Sequence, residues 1–315
     1  MIFLIIAGVL VVVGAVIFVV VMSLNDWDFK KLGTVKYETN TYVIEEDFSK
    51  IIITTTTADI EFLPSSDGKC KVVCYEEEKI KHEVKAEGGK LVIDVKDSRK
   101  WYDYINFSFD SPKITVYLPV DIFCSLNISS STGNITIPNA FTFDNISIAA
   151  STADVGCYAS ATGEIRIEVS TGNIDVTGVR ADSLHLVAST GKIKVKMVAC
   201  SGDISTKTST GETTIMATDC KNFYSNGDTG DIKMVGVIAS GIFNIERSTG
   251  DIEFENCDAN EIYAKTSTGD IEGSLLSEKV FFAETDTGDV DVPKTITGGR
   301  CELTTSTGDI EITIQ

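Results

Sequence analysis

Apolar and polar residues alternate through most of this chain, and glycine interrupts the alternation at regular places. Ile135 and Ile137 follow Gly133, Ile174 and Val176 follow Gly172, Ile193 and Val195 follow Gly191, and Ile252 and Phe254 follow Gly250. Val290 and Val292 follow Gly288, and Ile310 and Ile312 follow Gly308. Thr136, Asp175, Lys194, Glu253, Asp291 and Glu311 fill the slots between. A period of two marks a strand with one buried face. Ahead of the glycines the pattern recurs, as in Leu126 and Ile128, Leu184 and Leu186, and Phe243 and Ile245. Each unit therefore predicts short strands that meet at a corner.

Aligned on the corner, the units fall at Gly133, Ala153, Gly163, Gly172, Gly191, Gly202, Gly211, Gly230, Gly250, Gly269, Gly288 and Gly308. The gaps show a period of 19–20 residues, sometimes divided into halves of 9–11. A fixed period of this size means stacked repeats. A tight corner often needs a positive φ, which glycine adopts without penalty. The Ser or Thr before it and the Asp or Asn after it can bond backbone groups at the bend. Asn134, Asn173, Glu164, Glu212 and Lys192 stand in the Asp slot of other units, so the carboxylate is optional and the motif is first a corner. Residues 121–315 are expected to form an all-β solenoid with Ile252, Ile271 and Ile310 pointing inward. About nine turns at ~4.8 Å give a stack roughly 43 Å long, with extended flat faces.

The first 24 residues carry no charged side chain. A run of this length suits a membrane-spanning helix, and it lacks the short apolar region and small-residue cleavage site of a signal peptide. Residues 1–25 are read as a transmembrane anchor, with the membrane contacted through 2–24, and 26–35 as a juxtamembrane linker. Residues 36–120 are read as an N-terminal β region that caps the solenoid, because open strand edges invite aggregation. Lys30 and Lys31 follow the span and, by positive-inside counting, favour a cytoplasmic body. The acidic body, dense in Ser, Thr, Asn and Gly, points outward instead, and an extracytoplasmic body is the reading adopted. Trp101, Tyr102, Tyr104, Phe107 and Phe109 lie in one segment, read either as an aromatic contact loop or as a loop folded over the core.

Charge and candidate chemistry narrow the function. With 46 acidic against 27 basic residues the formal net charge is −19, which disfavours nucleic acid as a partner. The eight cysteines form no CxxC and no Cys–His spacing of a zinc site; they read as buried, reduced thiols. His82 and His185 read as isolated, and no nucleophile elbow, P-loop or metal triad stands out. These absences argue against an enzyme, polysaccharide cleavage on a β-helix included.

Near the C-terminus the Asp slot stops varying, with Asp231, Asp251, Asp270, Asp289 and Asp309 in five units. Two residues on stand Lys233, Glu253, Glu272, Asp291 and Glu311. Stacked at ~4.8 Å, neighbouring carboxylates repel by roughly 0.9 kcal/mol even at the dielectric of water. The strip is a candidate site for Ca²⁺, or for a basic partner. The alternative is a solvated face that keeps other sheets away.

An N-terminal span, the "TADIEFLP" stretch, the "KITVYLPVDIFCSLNISSSTGNITI" stretch (113–137) and successive STGDI or STGNI units resemble the bacterial putative-adhesin family of β-strand repeat proteins, a domain of unknown function. The resemblance covers about residues 36–315. It implies a right-handed β-helix-like fold, a Gram-positive envelope setting and no known catalytic activity, and it brings no site residues or cofactor. The function expected is that of a membrane-anchored, non-catalytic, adhesin-like surface protein with a cell-wall, glycan or protein partner on a solenoid face. The alternative is a cation-binding or envelope-stress-sensing accessory protein that uses the acidic strip.

Overall fold

Alternation becomes architecture because each inward isoleucine stacks on the same position of the next coil. The computed structural model describes residues 2–28, 35–101, 110–121 and 123–315. Lys30 and Lys31, and Tyr102, Tyr104, Phe107 and Phe109, lie outside them; Trp101 is exposed. Among the described residues an α-helix, Ile2–Leu24, precedes 29 strands, 27 of which join in one continuous sheet. Its stretch Ile5–Leu24 is long and apolar enough to cross a membrane.

The body is a β-solenoid of about nine turns. One column of its core runs Ile60, Ile135, Val155, Ile174, Ile193, Thr213, Ile232, Ile252, Ile271 and Ile310, all buried and in parallel register. A second column runs Ile51, Leu126, Ile146, Ile165, Leu184, Ile204, Phe223, Phe243, Ile262 and Cys301. Burying one such side chain contributes roughly 1.5–3 kcal/mol, so the stack is held mainly by these columns. All eight cysteines are free and buried in it.

The glycines divide between two corners, which explains the half-period gaps. Gly133, Gly172, Gly191, Gly211, Gly230, Gly250, Gly269, Gly308 and Gly288 share one, each with φ between +124° and +149°. Gly163 and Gly202 belong to a second, where they alternate with Asp144, Asp182 and Lys221 in one ladder of backbone hydrogen bonds. A third bend places Gly178, Met197, Ala217, Gly236 and Asn256 at equivalent positions, all with positive φ. Glycine fills only two of those five, so no sequence motif marks it.

Strands β1 (Tyr37–Ile44), β2 (Lys50–Thr55), β3 (Asp59–Pro64), β4 (Cys70–Glu77), β5 (Ile80–Glu87), β6 (Lys90–Asp97) and β7 (Lys113–Leu118) precede β8 (Ser125–Thr132) and β9 (Ile135–Ile137). The parallel stack already includes β2 and β3, so it is continuous across residue 120. The first coil is not the outermost one: β2 lies between β6 and β8, and β3 between β7 and β9. Antiparallel β4 and β1 then extend one face, and β5 the other.

The far end repeats this arrangement. Strand Gly299–Thr307 lies between Ile252–Lys265 and Lys279–Thr287, and Ile310–Ile314 between Ile271–Leu275 and Val290–Asp291. The outermost coil is therefore 279–291. Val290, expected inward, is 44% exposed because no further coil covers it.

Candidate functional site

At the first corner the backbone turns so tightly that the N–H after the glycine is offered to the neighbouring coil rather than to its own strand. The Asx side chain of that coil accepts it. Asp59 Oδ1 accepts from Asn134 N at 2.7 Å, Asn134 Oδ1 from Asp154 N at 3.0 Å, Asp154 Oδ1 from Asn173 N at 2.8 Å and Asn173 Oδ1 from Lys192 N at 3.0 Å. The ladder resumes where Asp231 Oδ1 accepts from Asp251 N at 2.9 Å and Asp251 Oδ1 from Asp270 N at 2.8 Å. Asp270 Oδ1 then accepts from Asp309 N at 2.7 Å, and Asp309 Oδ1 from Asp289 N at 2.8 Å. The repeated aspartate is thus a clamp between coils, and asparagine serves as well because the bond needs only an acceptor.

The order along the strip differs from the order in sequence. The column runs Asp231, Asp251, Asp270, Asp309, Asp289, because the final coil is inserted before the penultimate one. Beside it run Lys233, Glu253, Glu272, Glu311 and Asp291. Lys233 pairs with Glu253 at the start of that column. Partial burial, and then the charges of Glu253, Asp270, Asp251 and Glu311, raise the Glu272 carboxyl above its ordinary value. The strip is acidic and outward, and one oxygen of each of Asp231, Asp251, Asp270 and Asp309 is already engaged.

On the corner itself a column of threonines stays exposed. Thr132, Thr152, Thr171, Thr190, Thr210, Thr229, Thr249, Thr268, Thr307 and Thr287 lie in register across ten coils. Next to it, Ser129, Ser131, Ser151, Ser170 and Ser189 line a shallow trough together with Ala149, Glu168 and Val187.

The N-terminal cap holds a polar cluster. In β4 the inward slots read Cys70, Val72, Cys74 and Glu76, so a carboxylate ends an apolar series, and in β5 the inward slots open with Ile80 and His82. Glu76 is 0% exposed, His82 4% and Thr55 3%. Glu76 Oε2 lies 2.7 Å from His82 Nδ1 and accepts the His82 backbone N–H at 2.6 Å. Asn40 Nδ2 donates to Glu76 Oε1 at 2.8 Å, and His82 Nε2 lies 3.0 Å from Thr55 Oγ1. The sequence reading of His82 as isolated is thus corrected: the β4–β5 hairpin sets the imidazole against Glu76. Cys74 Sγ joins the group, with one donor atom of each of Cys74, Glu76 and His82 within 4.8 Å of the others. Burial, aided by the charge of Glu76, pushes the Cys74 thiol up to about 12. His185 lies half-buried on a solenoid face, where partial burial and then Arg166 lower its pKa.

Arg247 is a second buried polar group with no sequence signal. Its guanidinium lies against Gly227, where a Cβ would come within 2.8 Å of Nη1, and it donates to Ser225 Oγ and the Glu246 carbonyl. Burial lowers its pKa to about 10.

No curated protein matches the chain. A "putative adhesin" from Bacteroides fragilis NCTC 9343 is 16% identical over 88% of this chain and 97% of its own, with a TM-score of 0.41. A "putative lipid binding protein" from Parabacteroides distasonis ATCC 8503 is 21% identical over 76% of this chain and 95% of its own, with a TM-score of 0.47. A "putative adhesin" from the same strain is 15% identical over 86% and 98%, with a TM-score of 0.37. The family model described as Toastrack DUF4097 matches residues 48–208 and 184–315. These overlapping matches run from the threshold of β2 to the last residue of the solenoid, and the chain belongs to the Toastrack DUF4097 family.

Proposed function

We propose that the protein is a membrane-anchored surface protein of the cell envelope, with its β-body outside the cytoplasm, that binds a cell-wall, glycan or protein partner without catalysis. The observation that carries this reading is the exposed threonine column with its serine-lined trough. Hydroxyls repeated once per coil, beside a trough lined by serines together with Glu168 and Val187, offer a long flat polymer many weak and equivalent hydrogen bonds. The Glu76–His82–Thr55 arrangement has the order of an acid–base–hydroxyl array, but burial withholds it from any substrate. The helix Ile5–Leu24 supplies the anchor.

The test combines topology and binding. On intact protoplasts, protease should digest the body, and resistance until lysis would place it inside. Replacing Ser151, Ser170 and Ser189 together with lysine should abolish whole-cell binding to a panel of cell-wall and glycan fragments while leaving the melting temperature unchanged. Unaltered binding by that variant would overturn the surface assigned.

The in-register stacking of the carboxylates favours a second reading, in which the strip of Asp231, Asp251, Asp270, Asp309 and Asp289 with Glu253, Glu272, Glu311 and Asp291 takes up cations. Ca²⁺ suits oxygen-only donors, and roughly millimolar affinity is usual for extracellular modules. Calcium should then raise the melting temperature of the full chain in detergent, and Glu272→Gln with Glu311→Gln should remove the rise. A melting temperature indifferent to calcium, with no heat of binding, leaves the strip as a solvated face.

A further inference from the structure

We infer that Cys74, Glu76 and His82 form a binding site for one divalent transition-metal ion, with zinc the best fit. The three donors are a sulfur, a carboxylate oxygen and an imidazole nitrogen, all buried and within 4.8 Å of one another. Thiolate and imidazole favour zinc over calcium or magnesium, which take oxygen donors. Charge points the same way. A thiolate and a carboxylate together neutralise a divalent ion, so the loaded site carries no net charge into a region where uncompensated charge is costly.

The groups that would orient the ligands are already in place. Asn40 Nδ2 holds Glu76 Oε1 at 2.8 Å, and Oε2, which keeps the His82 backbone N–H at 2.6 Å, offers its second lone pair to the ion. Thr55 Oγ1 stands 3.0 Å from His82 Nε2. With the imidazole coordinating through Nδ1, its proton sits on Nε2 and is donated to Thr55, which fixes the tautomer. The ion then replaces the contact between His82 Nδ1 and Glu76 Oε2, and the Cys74 thiol releases its proton to solvent. Water completes a four-coordinate shell. β4 and β5 supply the ligands and β1 and β2 their supports, so one ion ties four strands at the end of the stack.

The experiment uses the full-length chain in detergent, expressed with added zinc and purified without chelator. Elemental analysis should find stoichiometric zinc. After exchange for cobalt, the spectrum should show the sulfur-to-cobalt charge-transfer band that only a cysteine ligand gives. Cys74→Ser should remove the band, Cys301→Ser should keep it, and Asn40→Ala or Thr55→Val should weaken zinc binding about 10- to 100-fold. A folded wild-type chain with no zinc and no band overturns the assignment without recourse to any variant. Zinc retained at full stoichiometry by Cys74→Ser also overturns it, because the ion is then held elsewhere.

Discussion

Replacing Gly191 with alanine is expected to lower the stability of the body by about 2–5 kcal/mol, the sum of backbone strain and local overpacking. Gly191 has φ +143°, and a Cβ built on it would lie 2.0 Å from the Gly172 carbonyl oxygen of the adjoining coil. Relief requires either a change of backbone conformation or separation of two coils, and separation breaks hydrogen bonds on both sides. Ala153 occupies the same corner without a positive φ, so Ala153→Gly is expected to cost only the extra chain entropy, roughly 0.5–1 kcal/mol. Urea unfolding of the full chain and the two variants provides the comparison. Equal midpoints for Gly191→Ala and Ala153→Gly would refute the steric account.

Glu76→Ala, measured in chelator, is expected to cost about 3–5 kcal/mol, as when one partner of a buried pair is removed. The loss leaves Asn40 Nδ2, the His82 backbone N–H and His82 Nδ1 facing a void. Unpaired buried donors account for most of that cost. Glu76→Leu combined with His82→Phe removes the imidazole donor and fills the void but leaves the backbone N–H and Asn40 Nδ2 without an acceptor, so it should recover only part of the stability. Thermal unfolding of both variants checks this. A double variant no better than Glu76→Ala would show that the network holds the cap by more than mutual satisfaction.

The solenoid is legible in the sequence because the core columns are built from one repeated event, an apolar pair two and four residues after a glycine. That signal carries register but not stacking order. The chain reads 271, 290, 310, whereas the coils stack 271, 310, 290, and nothing in the period distinguishes the two. Val290 was for this reason expected inside. The third bend has no regular signature because Met197 and Ala217 interrupt the turn formers Gly178, Gly236 and Asn256, although all five share a positive φ. Of the site, the Asp column was found but the bond it makes was not, since its donor comes from a coil 19 to 39 residues away. His82 was passed over because its partner lies across a hairpin. The available clue was Glu76 at the end of the inward series Cys70, Val72, Cys74.

The insertion of both end coils bears on how the chain is made. A repeat stack that followed sequence order could close coil by coil behind the ribosome, each new turn settling on the last. Here the segment 279–291 reaches its place only with 299–314 beneath it, and those residues come later in the chain. Assembly of this end therefore needs a wedging step, and until it is made the distal end remains an unfinished sheet open to other chains. Once made, it works in reverse as a lock. Neither β2 nor the strand Ile310–Ile314 can peel away first, so a pull on the N-terminal end of the body strips the edge strand β1 from β4 and then meets β2, which is paired on both edges and must be sheared out.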